Sequence, residues 1–394
     1  MGRREDFIRA INLEEPERVP LGELSIDPPH IETLMCPARF WSPEDRPAAE
    51  RIELFKHNAE VQVRCYDKLR MSLVVCNVAL HPARGWSAHV LSRDEAEDLR
   101  EETGLRYTAG TFVDEWSRGM VFDADSKVWI QQYGTMSTMA DWEQWADSED
   151  CPLNTPYAEG RDEDAKIVIE LAEKCDMAVA GLLRAPFATL FECFPVGVYY
   201  RLQLEQPEFI NRAVEAYTEY NVKMVEVYAD LGCDLVISTG DLAHTDGPLM
   251  RPELFDEFYF PPLRREVEAA HAAGIKYAKH TDGDVRSLLP GLVHVAKVDG
   301  VHSLDPSAGV DIGEIKAEFG DVIFLMGNIS VDHLALKSEA EIVQEAKQIL
   351  RKAAPGGGFV FCSSNSWYSH CKLRNCLAYV RAVQEYGQYP ITVE

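Results

Sequence analysis

The stretch Gly274-Ile275-Lys276-Tyr277-Ala278-Lys279-His280-Thr281-Asp282-Gly283-Asp284 decides how this chain reads. A short run of strand type ends in His280 and Asp282, a glycine turn follows, and Val285, Leu288, Leu289, Leu292, Val293 and Ala296 then recur at helical spacing. The spacing predicts a strand, a polar loop and a helix, with ionisable groups where the strand stops. In an α/β barrel that is where chemistry sits, because the loops after the strands build the active face.

The same unit repeats on both sides. An apolar run over 71–78 reads as a strand buried on both faces. Strand-like runs over 177–183, 234–238, 298–301, 322–326 and 358–361 stop at Arg184, at Thr239-Gly240-Asp241, at His302-Ser303-Leu304-Asp305, at Gly327-Asn328 and at Cys362-Ser363-Ser364-Asn365. Amphipathic segments over 164–174, 207–231, 263–273 and 339–353 lie between them. Strands alternating with helices, six to eight times, predict an α/β fold of the (β/α)8 TIM-barrel type. Residues 1–70 read as an N-terminal helical cap around one short extended segment, 18–24. Residues 86–148 read as an inserted antiparallel hairpin region, so that 1–394 forms a single domain. Trp86, Trp116, Trp129, Trp142 and Trp145 fall in that insertion and either pack it on the barrel or wall an aromatic substrate.

Bulk composition narrows the function classes. Of 394 residues 46% are hydrophobic and 26% charged, the balance of a globular protein with a large core. A formal net charge of -26 argues against nucleic acid or an anionic membrane as partner, since phosphate binding rests on clustered Lys and Arg. No apolar segment is long enough to span a bilayer, and acidic residues at Glu5 and Asp6 interrupt any secretory signal. The ten cysteines include no CxxC pair and suit reduced thiols of a cytoplasmic protein. Cys371 and Cys376 are expected as core residues of a C-terminal helix. A homodimer is compatible with the sequence.

If the strands line one barrel, their C-terminal ends gather Asp241, His280, Asp282, His302, Asp305, Asn328 and Cys362 at one mouth. A metal reading takes His280, Cys362 and a carboxylate from Asp241 or Asp282 as ligands of zinc, with one position open for substrate. An acid–base reading uses the same His and Asp groups on an organic substrate. His302 is either a substrate contact or a turn cap, and Cys362 either a ligand or a buried thiol.

These motifs resemble the uroporphyrinogen decarboxylase-like superfamily. The resemblance is carried by Arg18-Val19-Pro20, by 247–255 from Gly247 to Phe255, by His280-Thr281-Asp282-Gly283-Asp284, by Gly327-Asn328-Ile329 and by Gly356-Gly357-Gly358-Phe359. It implies a (β/α)8 barrel with one of two activities. The haem-pathway decarboxylases hold a polycarboxylate substrate with an arginine-rich N-terminal motif, whereas Gly22-Glu23-Leu24-Ser25-Ile26-Asp27 has no arginine. The other branch, corrinoid-dependent methyltransferases, binds zinc through His-x-Cys and a later Cys. His280 matches that histidine, Asp282 stands at the first Cys position, and the later Cys aligns near Asn365, with Cys362 three residues earlier.

The resemblance therefore implies a methyltransferase that takes a methyl group from a small methylated compound, such as a methoxy-aromatic, to a corrinoid protein. His280, Asp241 and Asp282 are its expected catalytic residues, with His280, Cys362 and Asp282 as zinc ligands. His302, Asn328, Asn365, Trp367 and Arg184 are expected to bind substrate. No corrinoid domain follows the barrel, so a separate protein is expected to carry the cobalt. A decarboxylase on another substrate and a non-catalytic binding barrel are the alternatives.

Overall fold

In the computed structural model, residues 2–41, 51–77, 89–90, 92–94, 97–98, 101, 112–123, 125–149, 151–154 and 162–393 are described. Seven strands form one parallel sheet. They are β1 (Leu73–Cys76), β2 (Ala178–Arg184), β3 (Leu235–Thr239), β4 (Lys276–Thr281), β5 (Gly300–Ser303), β6 (Phe324–Ile329) and β7 (Phe359–Ser363). They are hydrogen-bonded in chain order, and each pair is parallel. Parallel neighbours need a crossover, and helices Pro207–Leu231, Phe260–Ala272, Ile312–Phe319 and Glu339–Ala353 supply several of them.

The sheet curls until its two outer strands approach a common segment. The Gly22 N–H donates to the Phe361 carbonyl at 2.9 Å, the Phe361 N–H to the Pro20 carbonyl at 2.9 Å, and the Ser72 N–H to the Leu21 carbonyl at 2.7 Å. Residues 20–22 thus touch β7 on one side and the start of β1 on the other. The architecture is an α/β, TIM-barrel-like fold.

Side-chain alternation sorts the strands into two apolar layers. Leu73, Val75, Ala178, Ala180, Leu235, Ile237, Ala278, Met326, Val360 and Cys362 share an inner cluster with Phe7, Ala10 and Ile11 of helix Arg3–Ile11. That helix closes the N-terminal end of the sheet, where Arg4 pairs with Asp234, the residue before β3, at 2.6 Å. Val74, Val179, Val236, Tyr277, Val301 and Leu325 face the surrounding helices in a second cluster. Each fully buried aliphatic side chain contributes about 1.5–3 kcal/mol. The parity fixes the pivot strand: Ala278 and His280 point inward, Tyr277 and Lys279 outward.

Strands Phe112–Val113, Arg118–Asp123 and Val128–Gly134 form an antiparallel sheet together with His89–Val90. Trp116 and Trp142 are buried, and both pack with Trp145 on Tyr217. For these three tryptophans the packing role is the one seen. Trp86 lies outside the described residues, as does the side chain of Trp129. Among the described residues no helix is long and apolar enough to cross a membrane.

Two local expectations are corrected. The predicted helix after β4 is a turn over 286–288 that runs into a helical segment over 289–296, π-helical from Gly291 to Ala296, and Val285, Leu288, Leu289, Leu292, Val293 and Ala296 are all buried as its spacing required. Pro290 is helical, with φ -57° and ψ -37°, and lies in the first turn of that segment, where its missing amide hydrogen is tolerated. Cys371 lies in the loop before helix Leu373–Tyr386 rather than on it, and only Cys376 is helical.

Candidate functional site

His280 is the next-to-last residue of β4, and its ring enters the sheet's interior at the C-terminal end. Its Nε2 lies 3.9 Å from Asp241 Oδ1 and 3.9 Å from Asp282 Oδ1. The three side chains offer ligand atoms within 4.8 Å of one another. His280 is buried, Asp282 is one-third exposed and Asp241 about half exposed. The cluster therefore has a protected back and an open front.

The backbone builds this cluster by tying two loops together. The Asp282 N–H donates to Asp241 Oδ1 at 3.0 Å, and the Leu242 N–H to Thr281 Oγ1 at 2.9 Å. Lys279, on the outward face of β4, donates to the carbonyls of Gly240 and His280 at 2.6 Å each and of Ser238 at 3.2 Å. One buried ammonium thus fixes the Asp241 loop against the His280 strand. Sequence reasoning missed Lys279; a lysine at an outward position of a buried strand, next to His280, was the available signal. Gly283 makes the turn after Asp282 at φ +83°, where a Cβ would lie 2.6 Å from the Ala243 carbonyl carbon.

Asp282 is held by one oxygen. Asn365 Nδ2 donates to its Oδ2 at 2.5 Å, while Oδ1 is buried without a hydrogen-bond partner. The Ser303 hydroxyl interacts with the carboxyl, but outside hydrogen-bonding geometry. Burial, then the charge of Asp241, raises the Asp282 carboxyl to about 7. Burial lowers His280 and, to a greater extent, His302. Burial also lowers the Lys279 ammonium to about 7. A carboxylate oxygen left free beside a neutral imidazole nitrogen and a second carboxylate is a donor set for a divalent cation.

The remaining predicted residues are placed as follows. His302 is fully buried in β5 behind His280, with the two Nδ1 atoms 2.6 Å apart, and caps no turn. Asn365 joins the cluster through Asp282. Arg184 ends β2, donates to Thr239 Oγ1 at 3.3 Å and pairs with Glu192. The same Glu192 takes Arg118 from the antiparallel sheet at 3.1 Å, so the cation at the rim is already shared out. Asn328 donates to the Leu304 carbonyl at 2.8 Å and borders a cleft of about 520 Å³ with Pro306, His333 and Glu345, outside the cluster. Asp305 caps the 3-10 turn Pro306–Ala308 by accepting the Ser307 N–H at 2.9 Å.

Two residues are enclosed by protein. Trp367 is fully buried, donates its indole N–H to Tyr379 at 2.6 Å and packs edge-on against that ring. Cys362 is fully buried among Met326 and Val360 in the inner apolar cluster and does not join His280, Asp241 and Asp282. Burial and the nearby Glu23 charge push its thiol well above the usual range, away from the thiolate that binds metal.

A curled parallel sheet with a histidine and two carboxylates at its C-terminal rim defines the class: an α/β barrel-like protein with a polar site where barrel enzymes carry theirs. The family model for uroporphyrinogen decarboxylase (URO-D) matches residues 134–386, and the chain belongs to that family. Its fold is similar to that of a methyltransferase from Methanosarcina mazei, with TM-score 0.68 and 18% identity over 98% of this chain and 99% of that one. It is also similar to a B12-independent methionine synthase from Shewanella sp. W3-18-1 in complex with selenomethionine, with TM-score 0.52 and 11% identity over 94% and 97%. No curated protein matches the chain. At these identities the likeness is one of fold.

Proposed function

We propose that this chain is a methyltransferase that moves a methyl group from a small methylated compound to a corrinoid carried by a separate protein. A methyl aryl ether is the donor class that suits the site best. The observation that carries the reading is the convergence of His280 Nε2, Asp241 and Asp282, with Asp282 Oδ1 buried and unpartnered. Family membership and the fold shared with the Methanosarcina methyltransferase support it. The arginine-free segment 22–27 argues against a polycarboxylate substrate.

The donor set fits a divalent ion such as zinc, which His280, Asp241 and Asp282 would hold, with Cys362 apart from them. A bound zinc supplies Lewis acidity toward the leaving oxygen. Two carboxylates are harder donors than two thiolates, and they favour an oxygen-bearing methyl donor over a thiol. In the transfer the methyl carbon–oxygen bond breaks with its electron pair on oxygen, the oxygen takes a proton, and the methyl group passes to the corrinoid. Asn365 holds Asp282 Oδ2 and so keeps Oδ1 turned to the site. We read the chain as one (β/α)8 barrel domain, with 1–70 as its N-terminal cap around the extended segment 18–24 and 86–148 as its insertion.

The test is methyl transfer to cob(I)alamin from a panel of methyl aryl ethers with zinc present, read as methylcobalamin absorbance. Transfer that His280→Ala abolishes is the expected result; none from the whole panel, with or without zinc, overturns the reading. One observation favours a second reading, metal-free decarboxylation: a carboxyl raised to about 7 at Asp282 is poised as a general acid. Stoichiometric zinc that is lost in His280→Ala would exclude it.

A further inference from the structure

His280 and His302 sit side by side on adjacent strands, paired in register, with ring centroids 4.8 Å apart and Nδ1 atoms 2.6 Å apart. Two imidazole nitrogens at that separation share one hydrogen, so one ring donates and the other accepts. The ligand role of His280 decides the direction. His280 Nε2 has only carboxylate oxygens at 3.9 Å, too far to accept a hydrogen bond from it. His302 Nε2 is buried without a hydrogen-bond partner. A cation held at His280 Nε2, as in the site proposed above, requires that nitrogen to be unprotonated, and His280 then donates Nδ1–H to His302.

We propose that His302 is a positioning residue: by accepting the Nδ1 proton of His280 it fixes that ring's rotamer and tautomer, so that the Nε2 lone pair is turned to Asp241 and Asp282. His302 is fully buried and touches no ligand itself. A free imidazole favours the opposite tautomer, with the proton on Nε2, which would block the ligand position. The same logic governs metal sites in general, where the outer partner of a histidine ligand sets which nitrogen is free. Tautomer and metal affinity both rest on the metal site proposed above.

The experiment uses the full-length protein labelled with 15N-histidine and free of metal. Long-range 1H–15N correlation spectra, with His280 assigned by its loss in His280→Ala, are expected to show the Nδ1–H form. In His302→Phe the ring is expected to revert mainly to Nε2–H, and His302→Gln, whose side-chain oxygen can accept, to recover the native form. A wild-type His280 protonated on Nε2 overturns the proposal, whatever the variants do. Zinc titration supplies the second readout: His302→Phe is expected to weaken binding by about 10–100-fold, and His302→Gln by less. Unchanged affinity in a folded His302→Phe protein also overturns the proposal. If the wild type binds no zinc at all, the metal reading falls, and the tautomer spectrum still decides this inference.

Discussion

Glu23 is a carboxyl group with no exposed surface, placed where segment 20–22 meets β7. Its Oε1 accepts the Ser363 N–H at 2.7 Å and the Tyr379 hydroxyl, and its Oε2 accepts the Ser363 hydroxyl at 2.7 Å. Burial is the largest influence and outweighs those hydrogen bonds, so the carboxyl rises from 4.5 to about 7. A folded-state value above the unfolded one means that the neutral form favours folding. The stabilisation is complete below about pH 4.5 and is lost as pH rises through about 7. At 1.36 kcal/mol per pH unit, a gap of about 2.5 units gives roughly 3 kcal/mol, most of it between pH 5 and 8. Glu266 adds a slope of the same sign, its carboxyl also raised to about 7 by burial, so wild type alone does not isolate Glu23. Glu23→Gln does, because glutamine keeps the shape and neutrality of the protonated acid. Urea unfolding of both proteins at pH 5, 6, 7 and 8 and constant ionic strength is the assay. The variant is expected to gain on wild type by roughly 2.5 kcal/mol from the lowest to the highest pH. Parallel profiles would refute the reasoning, whatever their offset.

Three further perturbations probe the support of the site. Trp116→Ala removes a buried indole packed against Trp145, Tyr217 and Tyr220, and is expected to cost about 3–5 kcal/mol in chemical unfolding. Arg118→Met leaves the carboxylates of Asp114 and Glu192 without the guanidinium they share at 2.7 and 3.1 Å, with an expected loss of about 3–5 kcal/mol; Arg118→Lys is expected to recover only part of it. Gly283→Ala forces a Cβ to 2.6 Å from the Ala243 backbone at φ +83°, and is expected to cost about 1–3 kcal/mol in thermal unfolding and to weaken zinc binding by displacing Asp282.

The parallel sheet was legible because its strands are buried on both faces, and a run such as Leu73-Val74-Val75-Cys76 has few other ways to be satisfied. Helix Pro207–Leu231 was legible to the residue, since Pro207 at its first turn and Gly232 in the left-handed conformation just past its end leave little choice of boundary. The stretch after β4 was not. Its apolar spacing reported which residues are buried, and burial does not require a long α-helix. Segment 20–22 carries no strand periodicity, and its place between β7 and β1 is set by three backbone hydrogen bonds to residues far along the chain.

Within the site, strand position was legible and surroundings were not. Asp241, Asp282 and Asn365 follow strand ends, where the chain has left the apolar interior and a polar group can be satisfied at the rim. His280, His302 and Cys362 are each the next-to-last residue of their strands, and His280 and His302 are paired in register. What differs is the company each side chain keeps, which depends on residues far along the chain: His280 lies beside Asp241 and Asp282, His302 lies against the His280 ring, and Cys362 sits in the apolar cluster with Met326 and Val360. The consequence for chemistry falls on Asp282. With the nearest thiol withdrawn into the apolar interior, the donors left around His280 Nε2 are oxygens. A metal held there meets two carboxylates whose mutual repulsion it would relieve, and that preference for a cation follows from the residues themselves.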